Sequence, residues 1–155
     1  SQIFTICSGP KAILDVPKTI ENLETLGVQF YTYKNKSIPQ FWSRSSEVLS
    51  NNCINDINDF IKIFKINKII NKQSGMLIFN PIPKEHEIPY KKIDPLISKA
   101  LKKAKKNNIL GKQVTPFLLA EINKESEGLT IGCNKELLYN NAKLGAEISS
   151  LLNKV

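Results

Sequence analysis

The sequence predicts an α/β fold, layered α/β/α around a mixed or mainly parallel sheet, in a single domain over residues 1–155. Three observations predict it. The apolar run Ile3, Phe4, Thr5, Ile6 and Cys7 breaks abruptly into Ser8, Gly9 and Pro10, as a buried strand ends in a tight turn. The opening fifth of the chain then reads as strand, helix, strand, the unit from which parallel sheets are built. Further on, Gly75 leads into Met76, Leu77, Ile78 and Phe79, a short continuous apolar run of the kind found in strands covered on both faces.

Each element follows from local chemistry. Asp15 is placed to cap a helix with Pro17 in its first turn, and Ile20, Leu23 and Leu26 continue an apolar stripe until Gly27 stops it. Residues 28–33 are rich in β-formers and read as the second strand. A polar loop over 34–39 leads to Phe41, Trp42, Ser43, Arg44, Ser45 and Ser46, which combine aromatic bulk, a guanidinium and hydroxyls. Arg44 and Ser45 are candidates either for a phosphate site or for a structural brace in which Arg44 pairs with a carboxylate. The spacing of Ile57, Phe60, Ile61, Phe64 and Ile69 predicts an amphipathic helix over 55–70, preceded by Asn and Asp caps. After the apolar run at 75–79, Asn80, Pro81, Ile82 and Pro83 forbid further ladder pairing and leave a polar side chain at a strand end. A helix over 89–107 carries Lys99, Lys102, Lys103, Lys105 and Lys106, which suit a helix C-terminus without any ligand, and Gly111 is expected to close it. Thr115 and Pro116 read as N-cap and first residue of the next helix, ending near Glu127 and Gly128. Asn134 is expected to begin a last helix whose apolar face runs through Leu137, Leu138, Ala142, Leu144, Ile148 and Leu151.

Composition narrows the class. The chain has 155 residues and 41% hydrophobic content, enough for one core, and no apolar stretch approaches the roughly 20 residues that cross a bilayer. Cys7, Cys53 and Cys133 are odd in number and widely spaced, and His86 is the single histidine, so neither a disulfide framework nor a zinc site is indicated. Each cysteine reads as a small buried apolar group, and the expected compartment is the reducing cytoplasm. The net charge of +8 suits a phosphorylated substrate or a nucleic acid but proves neither, and the Lys, Asn and Ile bias reads more readily as codon bias of an AT-rich genome. There is no initiator Met, so Ser1 is read as a cut or processing boundary.

Among reactive groups, Lys11 stands out. In open α/β sheets ligands lie at the carboxyl ends of strands, and Lys11 follows such an end directly. An amine can condense with an aldehyde, as an open-chain sugar exposes, to form a Schiff base. No G-x-S-x-G, H-E-x-x-H, P-loop or G-x-G-x-x-G occurs. His86 lies in the charged run Lys84, Glu85, His86, Glu87 and reads as an exposed loop residue. Asn134, at an expected helix N-terminus, is a candidate to meet an anionic or hydroxylated ligand, or simply to cap.

Four ordered segments carry a family resemblance: Cys7 to Asp15 with Glu21, Leu23, Glu24, Gly27 and Val28 following; Pro39 to Ser46; Asn80 to Pro83; and Gly111 and Lys112 through Thr115 to Leu119, then Asn134 and Asn140, Asn141, Ala142. Together they make the chain resemble the pseudouridine-5′-phosphate glycosidase family, also called indigoidine synthase A-like, over its C-terminal half. The resemblance implies reversible cleavage of the C–C glycosidic bond of pseudouridine 5′-phosphate to uracil and ribose 5-phosphate. It implies Lys11 as the lysine attacking C1′ to form an imine, and Asn134 as a substrate-binding residue. It also implies a manganese cofactor, a trimeric assembly and a phosphorylated nucleoside as partner; no membrane partner is expected from the sequence, and a nucleic-acid partner is the less favoured reading. The family's acid glutamate, second lysine and manganese-associated aspartate precede the segment matching residue 1, so the chain is expected to form an incomplete version of the fold with no metal ligand of its own and to be inactive alone. Pro10, Gly132, Cys133 and the pair Ser74 and Gly75 depart from the family pattern without removing a named catalytic group. The rival readings are a basic RNA-binding module, which predicts steeply salt-dependent binding by the lysine face, and a family member with a lapsed site acting as a scaffold.

Overall fold

The structure, a computed structural model, describes residues 3–72 and 74–153. Ser1 and its boundary lie outside the described residues. Four strands form one parallel sheet in the order β1-β4-β2-β3, comprising β1 (Phe4–Cys7), β2 (Gln29–Tyr33), β3 (Cys53–Ile54) and β4 (Met76–Phe79). The register places Cys7 opposite Phe79, and Thr32 opposite Phe79 from the other side, so β1, β4 and β2 end level with one another. Of the expected mixed or mainly parallel arrangements, the sheet takes the parallel one throughout its four strands. The short strand β3 escaped the sequence reading because two residues are too few to show an alternation.

Period-two alternation decides which side chains meet which helix. Phe4, Ile6, Tyr31, Tyr33 and Ile78 point to one face, where they pack on Phe60 and Ile61 of α2 (Ile57–Ile69) and on Leu144 and Ile148 of α5 (Leu129–Leu152). Phe30, Leu77 and Phe79 point to the other face and meet Val16, Ile20 and Leu23 of α1 (Val16–Thr25). The layered α/β/α arrangement is thus present. A third cluster lies beyond it, where α3 (Tyr90–Lys106), α4 (Val114–Glu125) and α5 bury Ile93, Ile97, Leu118, Ile122 and Leu137 against Ala12, Trp42 and Ile82.

Caps explain several boundaries. The Asp15 carboxylate accepts the Lys18 backbone N–H at 3.0 Å, and Gly27, at φ +67°, lets the chain reverse after α1 as expected. Asp56 caps α2 by accepting Asn58 N–H at 2.9 Å. Three expected boundaries are corrected. Helix α3 ends at Lys106, and Asn108, at φ +51°, supplies the left-handed turn assigned to Gly111, which instead opens a short 3-10 turn over Gly111–Gln113. That turn leads straight into α4 at Val114, so Thr115 and Pro116 lie inside its first turn. There Pro116 still forfeits no helical bond, because the first four amides of a helix have no partner within it. Helix α5 begins at Leu129, preceded by Gly128 at φ +82°, so Asn134 is its sixth residue rather than its first.

The lysine-rich face of α3 is partly committed within the fold. Lys99 donates to Glu125 at 2.6 Å and Lys103 pairs with Glu121, tying α3 to α4. Among the described residues no helix is long and apolar enough to cross a membrane.

Candidate active site at the strand carboxyl ends

Because β1 and β4 are parallel neighbours ending level, the residues that follow them leave the sheet side by side. Asn80 N–H donates to Cys7 C=O at 2.8 Å, carrying the ladder one step past the strands. Ser8 and Asn80 are 3% and 4% exposed, so their polar side chains need internal partners. Helix α5 supplies them. Asn141 donates from Nδ2 to Ser8 Oγ at 3.0 Å and accepts Asn80 Nδ2 on its Oδ1 at 3.1 Å. Asn80 Nδ2 also reaches the Asn140 carbonyl at 3.2 Å, and Asn140 donates to the Pro81 carbonyl at 3.0 Å. Three side-chain amides and a hydroxyl thus clasp α5 across both strand ends.

The turn that delivers Lys11 is held from the opposite side as well. Gly9 sits at φ +85°, and a Cβ there would lie 1.9 Å from the Pro39 carbonyl oxygen, so only glycine allows the approach. Phe41 N–H donates to Ser8 C=O at 3.0 Å. Lys11 emerges from this pinned turn exposed to solvent, and its amine has no hydrogen-bond or ion-pair partner among the described residues. Its carbonyl accepts Leu14 N–H at 2.8 Å, which folds the chain back into α1.

The segment over 40–46 is shaped by reciprocal backbone bonds between Gln40 and Ser43, at 2.8 and 3.3 Å, with Phe41 at φ +60°. Trp42 is 1% exposed, and its indole N–H donates to Asn134 Oδ1 at 2.8 Å. Asn134 is therefore tied to the aromatic segment from the second turn of α5. Helical bonding occupies the amides around it, and no helix N-terminus lies there to meet an anion. Ala12, Trp42 and Cys133 share one apolar cluster, so the segments carrying Lys11 and Asn134 rest on the same core.

Arg44 acts as a brace. Its guanidinium Nη1 donates to the Ile82 carbonyl and its backbone N–H to Glu87 Oε1 at 2.9 Å, joining the segment to the exit of β4. The carboxylate expected beside it is thus met by the backbone rather than by the guanidinium. Ser43 Oγ donates to the Ile88 carbonyl at 2.7 Å for the same purpose. Ser45 is exposed, and its hydroxyl makes no hydrogen bond among the described residues. His86 is exposed in a 3-10 turn over Lys84–His86, 3.5 Å from Glu136, as its charged surroundings suggested. Burial pushes the Cys133 thiol up to about 12 and raises the Cys7 thiol as well, so both are held neutral. Among the described residues no group of three or more His, Cys, Asp or Glu is placed to hold a metal ion.

Sequence reasoning singled out Asn80 as a polar residue at a strand end but gave Ser8, Asn140 and Asn141 no role. The signal available was the run of amides in an otherwise apolar helix face, set 60 residues from Asn80, a pairing only the fold can reveal.

Known proteins resemble this chain in sequence and in fold. The family described as indigoidine synthase A like protein matches residues 1–151. The pseudouridine-5′-phosphate glycosidase of Petrotoga mobilis is 41% identical over 153 residues, covering 99% of this chain and 50% of the relative. That of Staphylococcus aureus is 36% identical over 155 residues, covering 100% and 50%. A prealnumycin C-glycosynthase crystallised in complex with ribulose 5-phosphate superposes with a TM-score of 0.88 at 25% identity, covering 97% of this chain and 50% of that one. An indigoidine synthase A-like protein from Thermotoga maritima does so at 0.84 and 34%, covering 96% and 49%. The chain spans about half the length of the relatives it matches.

Proposed function

From the premise that this chain belongs to the indigoidine synthase A-like family, we propose that it carries the lysine-bearing part of a pseudouridine-5′-phosphate glycosidase site. The observation that supports this best is the position of Lys11. It presents a free amine from a turn pinned between α5 and the 39–41 segment, at the carboxyl end of a parallel strand.

A C-glycoside lacks a heteroatom leaving group, so direct displacement by water, as in ordinary glycosidases, is far harder. A lysine supplies a route. Its nitrogen attacks C1′ as the sugar ring opens, the base departs with the C–C bonding electrons and takes a proton, and the nitrogen lone pair forms C1′=N. Water then hydrolyses the imine to ribose 5-phosphate and regenerates the amine. The base needs an acid to protonate its carbon, and the family's acid glutamate precedes the matched segment, so the chain alone is proposed to be inactive. Manganese, implied by the resemblance, finds no fitting donor set among the described residues, and no step here passes through it. Trimeric assembly is likewise proposed from the resemblance, to be read by sedimentation velocity.

The test is trapping. Ribose 5-phosphate with borohydride should leave a reduced adduct on Lys11, identified by mass spectrometry and lost in Lys11→Ala. Undiminished trapping in Lys11→Ala would refute the assignment.

A further inference from the structure

Helix α5 runs past the strand carboxyl ends and carries Asn134 out beyond them. Its later turns lie on β1, where a Cβ at Gly145 would stand 3.5 Å from Ile6 Cδ1. Asn141 then meets Ser8, the first residue after β1, and Asn134 lies seven residues earlier on the same helix face, about 10 Å further along the axis. Ligands of open parallel sheets sit on this side, and Lys11 follows Ser8 at the same end of the sheet.

Hydrogen-bond polarity fixes which way the Asn134 carboxamide faces. An indole N–H donates and accepts nothing, so only the carboxamide oxygen can face it, and the 2.8 Å bond from Trp42 Nε1 to Asn134 Oδ1 leaves Nδ2 turned away. Nδ2 makes no hydrogen bond among the described residues. The buried side-chain atoms without a partner there are Thr32 Oγ1 and Ser74 Oγ, so Asn134 Nδ2 is open to solvent. It offers two N–H donors to an oxygen acceptor. Trp42 is itself firmly held: its ring is 1% exposed and meets the Phe41 ring edge-on at 5.4 Å between centroids, and its carbonyl accepts Ile88 N–H at 2.9 Å.

We propose that Trp42 is a positioning residue, whose indole N–H holds the Asn134 carboxamide so that Nδ2 donates to an oxygen of the sugar phosphate. The proposal deepens the glycosidase reading and rests on it for the choice of ligand. The neighbouring residue serves the other half of the arrangement. Phe41 takes φ +60°, uncommon for a bulky side chain, and its N–H donates to Ser8 C=O at 3.0 Å, steadying the turn that bears Lys11. Consecutive residues thus tie down the Lys11 turn and the Asn134 amide, and the spacing between the two is set by one short, doubly anchored segment.

Trp42 is the single tryptophan of the chain, so it gives one indole N–H resonance. On the isotope-labelled chain, ribose 5-phosphate should shift the Asn134 Nδ2 resonances saturably, and ribose and inorganic phosphate titrated separately assign the accepting oxygen to the sugar or to the phosphate. Trp42→Phe keeps the packed ring and drops the donor. The ribose 5-phosphate concentration for half-maximal borohydride trapping on Lys11 should then rise about threefold to tenfold, the cost of ordering one released side chain, with the rate at saturation held within about twofold. Asn134→Asp keeps an acceptor for the indole, and so its slow-exchanging resonance, but has no donor left and should bind ribose 5-phosphate about tenfold more weakly or worse. An unchanged half-saturation in Trp42→Phe would overturn the proposal, as would undiminished binding by Asn134→Asp or an Asn134 Nδ2 signal unmoved at saturating ribose 5-phosphate. The two readings fail separately: a shift at Asn134 without trapping on Lys11 refutes the lysine chemistry alone, trapping with equal half-saturation in Trp42→Phe refutes the positioning role alone, and neither shift nor trapping refutes both.

Discussion

At the scale of single residues, Gly9 is the position most narrowly determined by its surroundings. Its φ of +85° and the 1.9 Å approach to the Pro39 carbonyl leave no room for a methyl group. Gly9→Ala is expected to cost about 3 kcal/mol, read as a lower urea midpoint, and to slow trapping at Lys11 because the turn must move. Cys133 supplies a second prediction. With its thiol held near 12, its thiolate fraction at pH 8 is roughly a thousandfold below that of a free cysteine, so iodoacetamide should label it only after denaturation. The sign for stability follows. The folded state favours the protonated thiol, so its contribution is complete below about pH 8.5 and is lost as pH rises toward 12, by at most about 1.4 kcal/mol per unit. Urea midpoints from pH 7 to 10.5 should fall less steeply in Cys133→Ala.

At the scale of elements, the clasp of α5 onto β1 and β4 is the main device. Asn141→Ala removes the donor to Ser8 and the acceptor from Asn80 together, leaving two buried polar groups short of a partner. A loss of about 2–3 kcal/mol is expected from denaturant titration. Trp42→Phe keeps most of the buried ring but drops the bond to Asn134, and should cost about 1 kcal/mol, against about 3–5 for Trp42→Ala. Element existence was legible in the sequence because Ile20 and Leu23, or Ile57, Phe60 and Ile61, recur at helical spacing. Two starts were misplaced, since Gln113 and Gly128 enter their helices without a side-chain cap, while Thr115 and Asn134 look like caps and lie inside. Capping propensity is a local preference, and the packing of α4 and α5 overrides it.

At the scale of the whole molecule, the fold ties down part of the +8 charge, since Lys99 and Lys103 of α3 are paired with Glu125 and Glu121. The chain is expected to show no steep salt-dependent RNA binding by fluorescence anisotropy, the outcome opposite to that of a nucleic-acid module. Incubated alone with pseudouridine 5′-phosphate it should release no uracil, which absorbance-coupled chromatography would detect. The sequence by itself determined the layered α/β class, the position of Lys11 at a strand end and the family, because hydrophobic period, turn residues and motif order are written along the chain. Only the tertiary structure decided that Arg44 braces the β4 exit, that Asn134 holds Trp42, and that Asn141 locks Ser8 to Asn80. Those assignments depend on partners tens of residues away, and a side chain's hydrogen bonds follow from which elements the packed sheet brings together.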